Sequence, residues 1–276
     1  MDPEVTLPPR HRRRRSRLIA LLCLALVAAG SFVAVQSFHG AGTPSQTASP
    51  DGKESQPLAV QQTTPIQWTG TYGPLSTTSG VLDAHNWAGH IFTGRTFTAI
   101  SAQWVVPTVQ SSATGAYSAT WIGLDGVNNT SLVQTGTAQD TSNGTSTYDD
   151  WYEILPANET LVASVAPGDH IQASINEVSP GNWTIAITDI TSGQIFSQAF
   201  AYNGPGASAE WIEESPAVNG QPSSLANFGA VQFTGMAFSG SNPSSVVDTT
   251  ADMIDASGSV IASSGAIANN SFTIRG

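Results

Sequence analysis

From about residue 83 onward, apolar and polar positions come in short runs and never settle into a helical period. Runs rich in Val, Ile, Thr, Phe and Trp cover Phe97–Val106, Tyr117–Leu124, Tyr148–Ile154, His170–Asn176, Trp183–Ile190, Ile195–Tyr202, Ala207–Glu213, Val231–Phe238 and Ser259–Ile261, each bounded by Gly, Asn, Asp, Ser or Pro. So many half-apolar strands bury their inner faces by stacking two sheets, which predicts one all-β domain over 81–276, a two-sheet antiparallel β-sandwich or jelly roll. No internal repeat is visible, which argues against a propeller or solenoid.

The first eighty residues follow other patterns. Residues 1–17 carry six arginines, and Leu18 to Val35 is an almost unbroken apolar run. A basic flank before an apolar core reads as a signal peptide or a transmembrane signal anchor over 18–36. The run is near the ~17–25 residues that span a bilayer, and no A-x-A site follows it, which favours the anchor. The arginines then stay cytoplasmic, and the rest of the chain is expected outside the cell or on its surface. Residues 37–80 are Ser, Thr, Gln, Pro and Gly with few large apolar groups, a polar linker or propeptide-like stalk.

Charge narrows the partners. Beyond residue 17 the only cations are Lys53, Arg95 and Arg275, against 18 acids, a formal charge of −15. Nucleic acid needs clustered Lys or Arg and is excluded as a partner of the domain. The sole cysteine, Cys23, lies in the apolar run, so the exported part has neither disulfide nor thiol ligand. No metal or other cofactor is expected: there is no H-E-x-x-H, and Asp125 and Asp140 lack calcium-loop spacing. His85 and His90 read as turn or surface residues. The sequons at Asn128, Asn129, Asn143, Asn158, Asn182 and Asn269 matter only in a host that glycosylates.

Nucleophile systems are missing as well. There is no G-x-S-x-G elbow, and the paired D-T-G or D-S-G loops of pepsin-like enzymes are absent. What remains are carboxylates, amides and tryptophans on strands. In Tyr148-Asp149-Asp150-Trp151-Tyr152-Glu153 an extended chain puts Asp149, Trp151 and Glu153 on one face. In Ala209-Glu210-Trp211-Ile212-Glu213-Glu214 it puts Glu210, Ile212 and Glu214 together and turns Glu213 away. Without further context, strand acids of this kind point to water. Trp121-Ile-Gly-Leu-Asp125-Gly126 and Leu132-Val-Gln134-Thr-Gly136 each read as a strand ending at a glycine turn.

Taken with Asn86-Trp87-Ala-Gly89 and Trp104-Val-Val-Pro107, these six motifs stand in the order and spacing of the glutamic peptidases, or eqolisins, which the chain resembles from about Asn86 to Phe238. The resemblance implies a concanavalin-like sandwich and an acid endopeptidase acting on polypeptides, insensitive to pepstatin and expected as a monomer. It places the catalytic pair at Gln134 and Glu214, with Trp87, Trp121 and Trp151 lining the substrate groove and Asp125, Asp149 and Glu153 giving supporting hydrogen bonds. Glu213 stands where the family usually has an apolar residue. Fungal members carry disulfides; this chain must draw its stability from packing.

The chemistry is self-consistent. A glutamate with an ordinary pKa near ~4.3 serves as a base in mild acid, and an amide nitrogen donates to an oxyanion without ever titrating. The rival is a carbohydrate-active jelly roll using Asp149 or Glu153 with Glu214, in which Gln134 has no necessary role; a third reading is a lectin-like binding domain. With so few cations, the domain is expected to stay folded near pH 3 and to lose stability toward neutrality.

Overall fold

The computed structural model of the chain describes residues 61–62, 80–219 and 221–276. The basic segment, the apolar run and most of the polar stretch therefore lie outside the described residues. In chain order the strands begin with β1 (Gln61–Gln62), β2 (Val81–Ala84), β3 (Trp87–Phe92), β4 (Ala99–Val105), β5 (Ala116–Asp125) and β6 (Leu132–Ser142). There follow β7 (Thr145–Ile154), β8 (Thr160–Ser164), β9 (His170–Ser179), β10 (Asn182–Asp189), β11 (Gln194–Ala201) and β12 (Ala209–Glu214). The last are β13 (Ala217–Val218), β14 (Gln221–Pro222), β15 (Ala230–Phe238), β16 (Thr249–Ile254), β17 (Val260–Ser264) and β18 (Phe272–Arg275). One 3₁₀ turn, Pro243–Ser245, is capped by Asn242, and there is no α-helix among the described residues.

Two layers face each other. One runs β8-β7-β6-β5-β12-β3-β16, with β2 parallel to β16; the other runs β11-β10-β9-β4-β15. β17 and β18 join them along one edge, so the ladder is continuous. Between the layers Phe92, Ile122, Leu124, Val133 and Trp211 of the first pack against Ile100, Trp104, Ile171, Ile175, Ile185 and Phe238 of the second. Two tryptophans tie the layers with hydrogen bonds: Trp104 Nε1 donates to Thr137 Oγ1 at 3.1 Å and Trp211 Nε1 to the Ser101 carbonyl at 3.2 Å.

All nine predicted strands are present, as parts of β4, β5, β7, β9, β10, β11, β12, β15 and β17. The sandwich is as predicted. One expectation fails: Gly136 does not end a strand but sits within β6, paired with Trp121 and Trp151. A β-carbon there would lie 2.2 Å from the Thr120 carbonyl oxygen and 2.5 Å from Trp121 Cβ. The glycine serves a close approach of two strands.

The strand acids do not point to water either. In the first layer the register aligns Glu213, Thr120, Thr137 and Asp150 in one row on the inter-layer side. Thr120 Oγ1 donates to Glu213 Oε2 at 2.6 Å, and Gln139 Nε2 reaches Thr137 Oγ1 at 2.7 Å. One oxygen of Glu213 and one of Asp150 are buried with no hydrogen-bond partner. Burial pushes the Glu213 carboxyl up to about 7; burial and then the negative charges of Asp189, Asp149 and Asp169 push Asp150 up to about 7 as well. His90 is also internal: its Nδ1 meets the Asp248 carboxylate and its Nε2 lies 2.9 Å from the Gly265 carbonyl oxygen, against Phe272. It ties β3 to the chain around β16 and β17, whereas His85 is exposed as expected.

These acids give stability a direction with pH. The folded values of Glu213 and Asp150 exceed the unfolded ones, so the native state keeps protons that the unfolded chain releases. Their contribution is whole below about pH 4 and is lost as pH rises to about 7, each group adding a slope of up to about 1.4 kcal/mol per pH unit. Asp189 and Asp255, held low, act in the opposite sense only below that window. Thermal melts should show Tm falling from pH 4 to 7, and Glu213→Gln with Asp150→Asn should flatten the fall. A Tm that climbs across that interval contradicts this account.

Candidate active site

The other face of the first layer carries the predicted site. Directly paired residues of antiparallel strands share a face, and the register of β3, β12, β5, β6 and β7 sorts this face into three rows. The first is Trp87, Glu214, Ala119, Ala138 and Asp149; the second is Gly89, Ile212, Trp121, Gly136 and Trp151; the third is Ile91, Glu210, Gly123, Gln134 and Glu153. Apart from Asp149, which is half-buried, the large and polar side chains of these rows are closed to solvent. Their apolar members form a hydrophobic cluster separate from the inter-layer core.

Trp121 organises the rows. Its Nε1 donates to Glu214 Oε2 at 2.9 Å, and its ring meets the edge of Trp87 with centroids 4.9 Å apart. At its far side Cζ3 lies over Gly123, where a β-carbon would stand 2.8 Å from it and 3.3 Å from Gln134 Cβ. Glu214 is thus at the indole nitrogen, and Gly123, the residue paired with Gln134, lies at its benzene edge. Glycine at 123 and 136 lets the indole lie close to the strands that carry it. Gln134 Nε2 donates to Glu153 Oε2 at 2.8 Å, which fixes the plane and sense of the amide.

The remaining predicted residues divide. Trp87, Trp121 and Trp151 share the face of Glu214 and Gln134, with Trp151 next to Gly136. Asp149 is in the row of Glu214 but three strands away, and accepts from Ser164 Oγ at 2.9 Å. Asp125 is buried at the end of β5 with a positive φ of 72°. It accepts from Tyr202 Oη at 2.7 Å, the Ala207 amide at 2.8 Å, the Gly206 amide at 3.0 Å and Asn129 Nδ2 at 3.3 Å, so it clasps the segment leading into β12. Glu213 lies on the opposite face from Glu214, as strand parity predicts. Glu210 was not singled out for a role; its even spacing from Glu214 is the signal that puts it here. Burial raises its carboxyl well above the ordinary range, with the charge of Asp125 acting in the same direction. Among the described residues no group of His, Cys, Asp and Glu is arranged to hold a metal ion.

Residues 85–275 match the Peptidase A4 family. Aspergillopepsin-2 of Aspergillus niger is 29% identical over 203 residues, covering 64% of this chain and 72% of that one. Scytalidopepsin B of Scytalidium lignicola is 32% identical over 136 residues, 47% of this chain and 51% of that one. Among solved structures, scytalido-glutamic peptidase bound to a transition state analog inhibitor superposes with a TM-score of 0.62 at 26% identity, covering 69% of this chain and 98% of that one. Aspergilloglutamic peptidase from Aspergillus niger gives 0.51 at 28% identity, over 58% and 98%. The family match over residues 85–275 and the likeness to both solved peptidases show that the chain belongs to the Peptidase A4 family, the eqolisins.

Proposed function

We propose that the chain is an acid endopeptidase in which Glu214 is the general base and Gln134 the oxyanion donor. The observation that carries this reading is the shared face: Trp121 Nε1 donates to Glu214, and Gln134, held by Glu153, belongs to the same set of buried rows. In this mechanism the Glu214 carboxylate takes a proton from the attacking water. As the tetrahedral intermediate collapses, Glu214 returns that proton to the leaving amine. Gln134 Nε2, oriented by its hydrogen bond to Glu153, donates to the developing oxyanion. An amide in this place adds no charge to a face that already carries Glu153, Glu210 and Glu214, so Glu214 can ionise in mild acid without a like-charged dyad partner.

Export by the segment 18–36 would deliver the enzyme outside the cell, as a monomer acting on polypeptides. The catalytic face is closed to solvent, so a substrate must find it opened. β1, from the polar stretch ahead of the domain, pairs with β13, and Gln62 stands opposite Ala217, three residues after Glu214. We assign the opening to removal of that stretch.

Two measurements test the reading. On a denatured protein at pH 3–4 with pepstatin present, the mature enzyme should cut peptide bonds. Glu214→Gln should abolish cutting with circular dichroism unchanged, and Gln134→Ala should lower kcat by about 10²–10³. Activity of Glu214→Gln above a tenth of wild type removes Glu214 from the mechanism, and sugar release without proteolysis favours the carbohydrate reading. For maturation, acid incubation followed by N-terminal sequencing should show a new terminus within 37–80 and a parallel rise in activity. Full activity of the uncut chain excludes that step.

A further inference from the structure

Buried polar atoms without partners are rare in native proteins, because each loses its water and gains nothing in return. The catalytic face has a set of them: Nε1 of Trp87, Nε1 of Trp151 and both carboxyl oxygens of Glu210. Glu210 is the costliest. It is wholly enclosed, and an apolar residue of its size would avoid the desolvation. Its neighbours in the row are Ile91 on β3 and Gly123 on β5, and beyond Gly123 stands Gln134. Beside it stand the Ser208 hydroxyl, itself short of a partner and acting against the effect of burial on the carboxyl, Asp125, whose carboxylate is engaged by the 202–207 segment, and Tyr202, which donates to Asp125. Among the described residues no cation stands beside it: Arg95, which lies over Phe97 and Phe238 of the inter-layer core, belongs to the other side of the layer. Burial favours the neutral carboxyl, which has one O–H donor and one C=O acceptor.

An extended peptide offers the complementary pair. The N–H and C=O of a single residue in a strand point to the same side, which is how antiparallel partners exchange two bonds. We propose that Glu210 is a substrate-binding residue, a neutral acid whose O–H and C=O pair with the C=O and N–H of one residue of the extended peptide substrate beside the scissile bond. The indole N–H groups of Trp87 and Trp151, donors only, take carbonyl oxygens of neighbouring residues. The unpaired groups of the face are thus the imprint of a polypeptide backbone: donors and acceptors that stay unmatched until a chain is laid across them.

This proposal rests on the peptidase reading, and the test separates the two. A fluorogenic peptide cut by the mature wild-type enzyme at pH 3.5 is the probe, with KM and kcat measured for wild type, Glu210→Gln and Glu210→Leu. Leu fills the space but pairs with nothing, so KM should rise by about 10–100-fold, the loss of a buried two-point contact, with the loss falling on KM rather than kcat. Gln keeps a donor and an acceptor and should recover most of that loss. Melting at the same pH should show Glu210→Leu at least as stable as wild type; should it not fold, Glu210→Met takes its place. An inactive wild type rejects the peptidase reading. With wild type active, a Leu variant of unchanged KM, a loss confined to kcat, or a Gln variant as impaired as Leu overturns the role of Glu210.

Discussion

The site depends on the register of four strands. Glu214 on β12, Trp121 on β5, Gln134 on β6 and Glu153 on β7 share a face only because β12, β5, β6 and β7 pair as they do. A slip of one residue in any pairing would turn a whole strand over. It would put Glu213 where Glu214 stands, or Thr135 in the place of Gln134. Patterning alone holds such a register weakly here, since β3, β5, β6 and β12 are buried on both faces and neither face is marked by exposure. Glycines supply the missing specification. At Gly136 the Thr120 carbonyl and Trp121 Cβ fill the space a side chain would need, and at Gly89 the Trp211 carbonyl oxygen stands 2.1 Å from where a β-carbon would be. Any other register would bring a side chain into those contacts, and overpacking of that kind costs roughly 1–3 kcal/mol or more.

The second theme is where the acids are. Five carboxyls of the two acidic motifs, Asp150, Glu153, Glu210, Glu213 and Glu214, are enclosed in the first layer, on both its faces. For Asp150, Glu210 and Glu213 burial raises the carboxyl above its ordinary range, so at neutral pH each must ionise in a poor solvent or hold its proton against water. In acid the conflict vanishes, since a protonated carboxyl is only a polar group in need of one or two bonds. The domain's scarcity of cations points the same way, because cations are what repel one another when carboxylates are neutralised. The buried acids and the scarcity of cations therefore both favour the fold in an acidic medium.

How much of this the sequence disclosed follows from burial. Strands with one wet face, such as β9 and β10, alternate cleanly and are read with little error. β3 and β6 have no wet face, and their glycines mimic punctuation, so the pattern shows no strand at β3 and ends β6 early at Gly136. The same blindness made the acids of β7 and β12 look solvent-facing, because a rule that sends acids to water presumes water on one side. Parity was more robust. It separated Glu213 from Glu214 and grouped Asp149 with Trp151 and Glu153 before any partner strand was known. What parity lacks is the neighbouring strand: that Asp125 clasps Tyr202 and the 206–207 amides, and that His90 meets Asp248, are contacts across 77 to 158 residues of chain with no local mark.

The absence of disulfides fits this economy of burial. A bridge in a domain of this size contributes typically 2–4 kcal/mol, chiefly by restricting the unfolded chain. The inter-layer core offers an alternative in its aromatic contacts. Phe92, Phe97, Trp211 and Phe238 form one connected group with ring centroids 4.9–5.9 Å apart, and Trp104, Phe233 and Phe272 form another, at 5.3 and 5.6 Å. Each pair is worth roughly 0.5–1.5 kcal/mol beyond the area it buries, so these six together match one or two bridges. They also act where a bridge does not: rings from both layers hold the sheets at a fixed spacing, and the rows of Glu214, Trp121 and Gln134 lie on the back of one of those sheets. An aromatic core that fixes the sheet is thus part of what keeps Glu214, Trp121 and Gln134 on one face in a fixed register.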